Sequence, residues 1–456
     1  MFSSAASRQY LVAVVGGLAL FVTGSSFTWA TPLLPQLKSK DHEFQLTADQ
    51  GSWVITLVEV GCLAPSIPAG FLADRFGRKT CLLYVTPVFI LTWFMVIWWR
   101  SYAALCFMRF VQGMGVAIHY TILPIYLAEV AAPSRRGALA NFFSVMWYLG
   151  FLFDYVVGTF FDYDGLTWFC IAPPIVFMIA FYFCPESPYF LMMNNRRGEA
   201  SKALAWLENK LPEEIEPDLV AIEQSILEEK KNKGSWKDVT ATPSGRKALA
   251  IILVMAMVYV LCGLSTLLSY VSEIFGTLSG NENSANLMSI LAGAAVLLAT
   301  IVSGFLSDRL GRRPIIIYFG GLSVLCLLVT GIFYYLKEMT DTDLTDYVWV
   351  PYVSIIFLML TAPIAVGVIQ ALQGELFSNS TRGFAAGVYT LWVTFLNCVA
   401  LKLYQVVGDG LGYYVNYIAF TVFTLAGVIY AFVFIPETKG KTFDEVQMIL
   451  QNKRLN

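Results

Sequence analysis

Two groups of residues in this sequence are of a type and spacing able to carry chemistry: charged motifs that occur twice in one order, and ionisable residues inside long apolar runs. Asp74-Arg75-Phe76-Gly77-Arg78-Lys79 recurs as Asp308-Arg309-Leu310-Gly311-Arg312-Arg313. Glu129 through Arg136-Gly137 recurs as Glu375 through Arg382-Gly383, and Pro185-Glu186-Ser187 as Pro436-Glu437-Thr438. The three shifts are 234, 246 and 251 residues, so the chain repeats itself. Matched acids and arginines make ion pairs, which are weak singly yet able to bias two states separated by a few kcal/mol. Positive charge alone at a membrane boundary would explain the arginines but not the acids that accompany them.

Glu59, Arg109, His119, Asp154 and Lys402 lie inside apolar runs, where an ionisable group needs a partner or a role. A lone histidine such as His119 more often packs between helices than acts as a base. No nucleophile–base pair and no metal-ligand spacing accompanies it. The eight cysteines all lie in or beside apolar runs without a CxxC pair, which is the placement of small buried hydrophobes. The expectation is therefore no enzyme, no cofactor and no metal.

The elements that must hold these residues follow from composition. The chain has 456 residues, of which 57% are hydrophobic and 14% charged, against roughly a quarter charged in a soluble domain. A net charge of −2 gives no reason to expect a nucleic-acid partner, and no obligate protein partner is evident. Continuous rather than alternating apolar runs exclude a membrane barrel. Their lengths approach the ~20 residues a helix needs to cross a bilayer. They predict twelve spans near 10–30, 51–73, 80–100, 102–128, 137–160, 166–184, 247–272, 285–307, 314–336, 348–373, 383–408 and 412–435, the first being retained rather than cleaved. Of 30 Lys and Arg, only Lys38, Lys40, Arg100 and Lys337 fall opposite the N-terminus, and Arg109 and Lys402 fall in the membrane. The positive-inside bias then places both termini in the cytoplasm, and the repeats as parallel halves. The domains expected are an N-terminal six-helix half over 1–184, a cytoplasmic linker of short helices over 185–246, a second half over 247–435 and a tail over 436–456. In this topology the sequon at Asn379 faces the cytoplasm and stays unglycosylated.

The sequence resembles the sugar-porter family of the major facilitator superfamily over nearly its whole length. The resemblance rests on Gly70 to Lys79, on Arg109 with Gly113 and Gly115, and on Pro124-Ile125-Tyr126-Leu127-Ala128-Glu129 running to Arg136-Gly137. Pro185-Glu186-Ser187-Pro188 and Pro436-Glu437-Thr438-Lys439-Gly440 complete it. Trp29-Ala30-Thr31-Pro32-Leu33-Leu34-Pro35 and Gly51-Ser52-Trp53 further resemble the arthropod facilitated trehalose-transporter branch. The resemblance implies an all-α polytopic membrane protein with the major facilitator fold, working by alternating access, with the plasma membrane as its expected location. It assigns Asp74, Arg78, Glu129, Arg136, Glu186, Arg312, Glu375, Arg382 and Glu437 to a cytoplasmic salt-bridge lock able to pair across the halves. Proton-coupled members keep an acid facing Arg109, and that position here is Thr23. Facilitated diffusion is therefore the simpler mechanism, unless Glu59 or Asp154 has taken over the proton.

Against the family pattern, the sugar-reading groups are largely replaced. The glutamine pair of span seven becomes Tyr259-Val260 and its asparagine Ser265; the glutamine of span five becomes Ser144; and Val296, Ala362 and Gln370 stand at three further positions. A sugar needs donors and acceptors in its site. The candidates left to supply them are His119, Tyr120, Ser144, Tyr259, Ser265, Gln370, Gln373 and Asn397. Three readings stay open: a facilitative transporter of a hexose or trehalose-like sugar, a transporter of a less polar solute, and a non-transporting sensor on a transporter frame. Helix arithmetic also places Glu59 and Lys402 where they can meet as an extracellular gate, with separate satisfaction of each as the alternative.

Overall fold

The computed structural model describes residues 5–39, 44–132, 136–211, 213–231, 236–377, 379–441 and 443–451. Within these, the side chains of 136–141, 229–230, 236–238, 282, 308, 379–380, 382 and 443–444 lie outside the description. All regular structure among the described residues is helical.

The first span is α1 (Ala5–Thr28) and α2 (Ala30–Lys38), separated by a turn at Trp29. The break has a local cause. Pro32 and Pro35 lack the N–H groups that would bond the carbonyls of Thr28 and Thr31. The second span is α3 (Ala48–Leu63) and α4 (Pro68–Phe76), bent by 57°. Pro65 and Pro68 interrupt the ladder there, so the expected straight helix over 51–73 is two pieces. Next come α5 (Arg78–Trp98), α6 (Tyr102–Val130), α7 (Arg136–Phe160) and α8 (Tyr163–Tyr182). The connecting region holds α9 (Pro188–Met193), α10 (Arg197–Glu208), α11 (Glu216–Lys231) and α12 (Trp236–Ala241). The seventh span is α13 (Pro243–Leu261), α14 (Leu264–Ser269) and α15 (Val271–Ser279). It is followed by α16 (Glu282–Leu310), α17 (Arg312–Met339), α18 (Trp349–Glu375), α19 (Asn379–Leu411), α20 (Tyr413–Phe434) and the short α21 (Phe443–Leu450). Among the described residues, eleven helices are long and apolar enough to cross a membrane, or twelve when the bent pair is one span.

The chain divides into two compact units: Met1–Trp29, Gly61–Val157 and Tyr163–Lys233 form the first, and Ala30–Val60, Gly158–Asp162 and Gly234–Asn456 the second. The boundary at Trp29 and Ala30 coincides with the proline-induced break between α1 and α2.

In the first unit, Gly24 of α1 and Gly150 of α7 bring two backbones into contact. A Cβ on Gly24 would sit 2.2 Å from the Trp147 carbonyl oxygen, and one on Gly150 2.4 Å from that of Phe21. Small residues allow such approach where lipid gives no hydrophobic drive to helix pairing. The polar linker helices are more than a solvated connector: Phe190, Leu191, Ala200, Leu204, Ile215 and Leu219 form a small apolar core of their own. Arg8 of α1 ties to it, donating to the Trp206 carbonyl at 2.7 Å.

Candidate functional site

Each unit builds one copy of the duplicated motif, and the main contacts of the first copy recur in the second. In the first unit, Gly77 joins α4 to α5 at φ +102°, and a Cβ there would lie 2.4 Å from a Glu186 oxygen. Only glycine leaves room for Glu186 to cap α5, accepting from the N–H groups of Lys79 at 3.0 Å and Thr80 at 3.4 Å. The carboxylate thereby meets the positive end of the helix dipole. Arg78 follows directly and turns back over its own unit. It holds Glu129 at 2.9 Å, Asp74 at 3.0 Å and the Ala73 carbonyl at 3.1 Å, and lies over the Phe190 ring.

In the second unit Gly311 takes the same role at φ +90°, and Glu437 caps α17 through the N–H groups of Arg312 and Arg313, both at 3.1 Å. Arg312 holds Glu375 at 2.8 Å and the Ser307 carbonyl at 2.8 Å, and Thr438 donates to the other Glu375 oxygen. Partial burial pushes the Glu437 carboxyl up, but the N–H groups of Lys439, Arg312, Arg313 and Thr438 outweigh it and hold it below the ordinary carboxylate value. Even the next cation repeats. Lys79 donates to the Tyr182 carbonyl and sits over its ring, and Arg313 does both to Phe432.

The described ion pairs of Arg78 with Glu129 and Asp74, and of Arg312 with Glu375, lie within single units. The reason is local: an arginine one residue past a glycine turn projects back onto the helix end of its own unit. Glu186 and Glu437 serve backbone N–H groups. The side chains of Arg136, Asp308 and Arg382 lie outside the described residues.

Within the first unit, Arg109 of α6 is fully buried and donates to the backbone carbonyls of Ser26 and Phe27, the latter at 2.9 Å. These carbonyls belong to the last turn of α1 before its break, where helix-end acceptors need donors from outside the helix. Its negative counterpart is Asp154 of α7, also fully buried, whose oxygens accept from Ser25 and Thr28, each at 2.8 Å, and from the Cys170 thiol. Asp154 and Arg109 therefore grip residues 25–28 from two sides, one by hydroxyls and one by carbonyls. Among the described residues, Thr23 bonds back to the Leu20 carbonyl. A scan for an acid on span one misses Asp154; its spacing of one turn from Gly150 is the signal that would have found it.

The candidate solute residues fall in both units. His119 is fully buried, stacked on Phe89 with Nε2 3.1 Å from the Leu82 carbonyl, a packing histidine as its apolar surroundings dictate. Tyr120 packs edge-on against Phe143 and Trp147, and Ser144 is half-buried on α7. In the second unit, Gln370 donates to the Tyr259 hydroxyl at 3.4 Å, and one turn on Gln373 keeps a buried amide oxygen without a partner. Ser265 lies in the broken seventh span, its carbonyl accepting from Ser269. Asn397 of α19 has a buried, unpartnered amide oxygen and neighbours Glu59 of α3.

Glu59 and Lys402 do not meet. Lys402 instead reaches the Asp49 carboxylate at 2.5 Å and the Ser52 hydroxyl at 2.8 Å, over the Trp53 ring. Its long stem carries the ammonium toward the more exposed end of α3, where desolvation costs less. Asp49, which the sequence reading passed over, stands two residues before the span's assumed start at Gly51. A second pair on the same unit joins Lys38 of α2 to Glu273 of α15 at 2.6 Å.

Residues 10–450 match the family described as sugar (and other) transporter. The chain belongs to that family. Facilitated trehalose transporter Tret1 of Anopheles gambiae is 28% identical over 443 residues, covering 96% of this chain and 55% of that protein. Tret1 of Polypedilum vanderplanki is 28% identical over 444 residues, covering 96% and 87%. The chain spans about half the length of the Anopheles and Aedes relatives. Among solved structures, the inward-open xylose transporter XylE from E. coli aligns with a TM-score of 0.78 at 19% identity, over 97% of this chain and 99% of that one. The proton:xylose symporter XylE bound to 6-bromo-6-deoxy-D-glucose gives 0.76 at 19%, over 98% and 99%. The fold is that of the major facilitator superfamily, in an integral multi-pass membrane protein.

Proposed function

We propose that this protein moves a sugar, a hexose or a trehalose-like disaccharide, across a membrane by facilitated diffusion with alternating access. The observation that carries this reading is the duplicated, internally satisfied motif of Arg78 and Arg312. Each copy makes the end of its own unit rigid, as two bodies must be if they are to rock around a solute without melting. The trehalose transport named for the insect relatives supports the substrate class, as do Tyr259, Gln370 and Gln373, whose hydroxyl and amide groups suit a ligand that both donates and accepts. In this reading Arg78, Glu129, Arg312, Glu375 and their neighbours face the cytoplasm with both termini, Asn379 remains unglycosylated, and the plasma membrane is the site of action.

Purified protein in proteoliposomes should show saturable uptake of radiolabelled glucose or trehalose, with mutual competition between labelled and unlabelled sugar. Flux of an apolar solute that sugars do not inhibit would replace the substrate class. Sugar binding without flux would make the protein a sensor.

A further inference from the structure

Glu59 and Asn397 face each other in the second unit, and both are buried, at 7% and 6% exposure. The Asn397 amide is the side chain that offers Glu59 a hydrogen bond, while its own Oδ1 has no partner. No described cation is available to neutralise Glu59. Lys402, five residues along α19, is taken up by Asp49 and Ser52. Lys38 of α2 is taken up by Glu273. Arg109 of α6, the helix against which α3 packs at Gly61, is committed to the carbonyls of α1 and to Asp154. Among the described residues, the titratable group beside Glu59 is the Cys398 thiol of α19. An ionised Glu59 would thus be a buried charge with one donor and no counter-charge, next to a buried amide oxygen with none.

We propose that Glu59 and Asn397 form a proton-binding site. One added proton resolves both deficits: the carboxylic acid O–H donates to Asn397 Oδ1, and Asn397 Nδ2 donates to the acid's carbonyl oxygen. This closed acid–amide pair carries no net charge and joins α3 to α19. When the two helices part, the carboxyl meets water and the proton leaves, so the α3–α19 contact binds one more proton than the separated state. Its population relative to that state then changes by up to about tenfold per pH unit while Glu59 titrates. The proton is bound and released with the contact, independently of which solute is carried, so the site stands or falls apart from the sugar reading.

Infrared spectra of the purified protein at neutral pH should show a protonated-carboxyl carbonyl band, sensitive to deuterium exchange, that is missing in Glu59→Gln and weakened in Asn397→Leu. Glu59→Gln keeps a doubly hydrogen-bonded amide pair and so remains folded. Distance labels on α3 and α19 should report a contact population that falls as pH rises in the wild type and stays constant in Glu59→Gln. Identical carboxyl bands in wild type and Glu59→Gln, or an unchanged pH dependence in that variant, would overturn the site.

Discussion

At the scale of single residues, Gly77 and Gly311 show how one missing Cβ decides what an acid can do. Each lies at positive φ with ψ near the extended region, 154° and 169°, and each leaves space for a carboxylate that caps the following helix. Alanine at either position meets that carboxylate within 3 Å and occupies a conformation that costs about 1–3 kcal/mol outside glycine. Gly77→Ala and Gly311→Ala should each lower the unfolding midpoint in detergent by an amount in that range, whereas Gly198→Ala, with open space around it, should not. The buried Asp154 is a second such position. Asp154→Asn removes the negative counterpart of Arg109 and one acceptor for Ser25 or Thr28, and leaving a buried hydrogen-bonding group unsatisfied costs about 1–3 kcal/mol. Thermal unfolding should show that loss, and combining Asp154→Asn with Arg109→Gln should recover part of it. A double variant destabilised by the sum of the two single variants would mean that the two charges are not coupled.

At the scale of elements, the spans are interrupted where the chain needs polar backbone inside the membrane. The break of the first span at Trp29 supplies carbonyls to Arg109, and the seventh is cut at Gly263 and Tyr270, whose hydroxyl donates to the Leu401 carbonyl at 3.1 Å. Proline placement makes the first break visible in the sequence, but the donor that makes it tolerable comes from α6, more than eighty residues away. The contact between α3 and α19 carries the prediction at this scale. Lys402→Glu should loosen it by setting two acids together at Asp49, by no more than about 1 kcal/mol for so exposed a pair. Adding Asp49→Lys should restore it, and adding Glu59→Lys should not. Distance labels on the two helices across the four variants decide the point; rescue by Glu59→Lys would return Lys402 to Glu59.

At the scale of the whole molecule, proton coupling is separable from proton binding. Arg109 has its negative counterpart in Asp154 inside the first unit, with hydroxyls and backbone in between, and that arrangement is complete without a travelling proton. Collapsing the transmembrane proton gradient with a protonophore, at fixed internal and external pH, should leave the initial rate of sugar uptake unaltered. Changing both pH values together should alter it through Glu59. A several-fold loss on collapsing the gradient would make the protein a symporter and Asp154 or Glu59 its carrier.

The sequence by itself determined the solvent, the number of spans and the internal repeat, because apolar length and motif order are properties of the chain read in one dimension. It also marked Arg78, Glu129, Arg312 and Glu375 as partners in pairs, since acids matched to arginines in both copies have few other uses. Which arginine meets which acid was decided only in three dimensions, by the direction in which a glycine turn sends the next side chain. The same holds for the intramembrane charges. Asp154 and Arg109 are 45 positions apart on α7 and α6, and α1 between them is ordered by two prolines and two glycines whose joint effect no local pattern expresses. Lys402 has a stem long enough to reach either end of α3, so its partner depended on where water and Asp49 lay once the helices had packed.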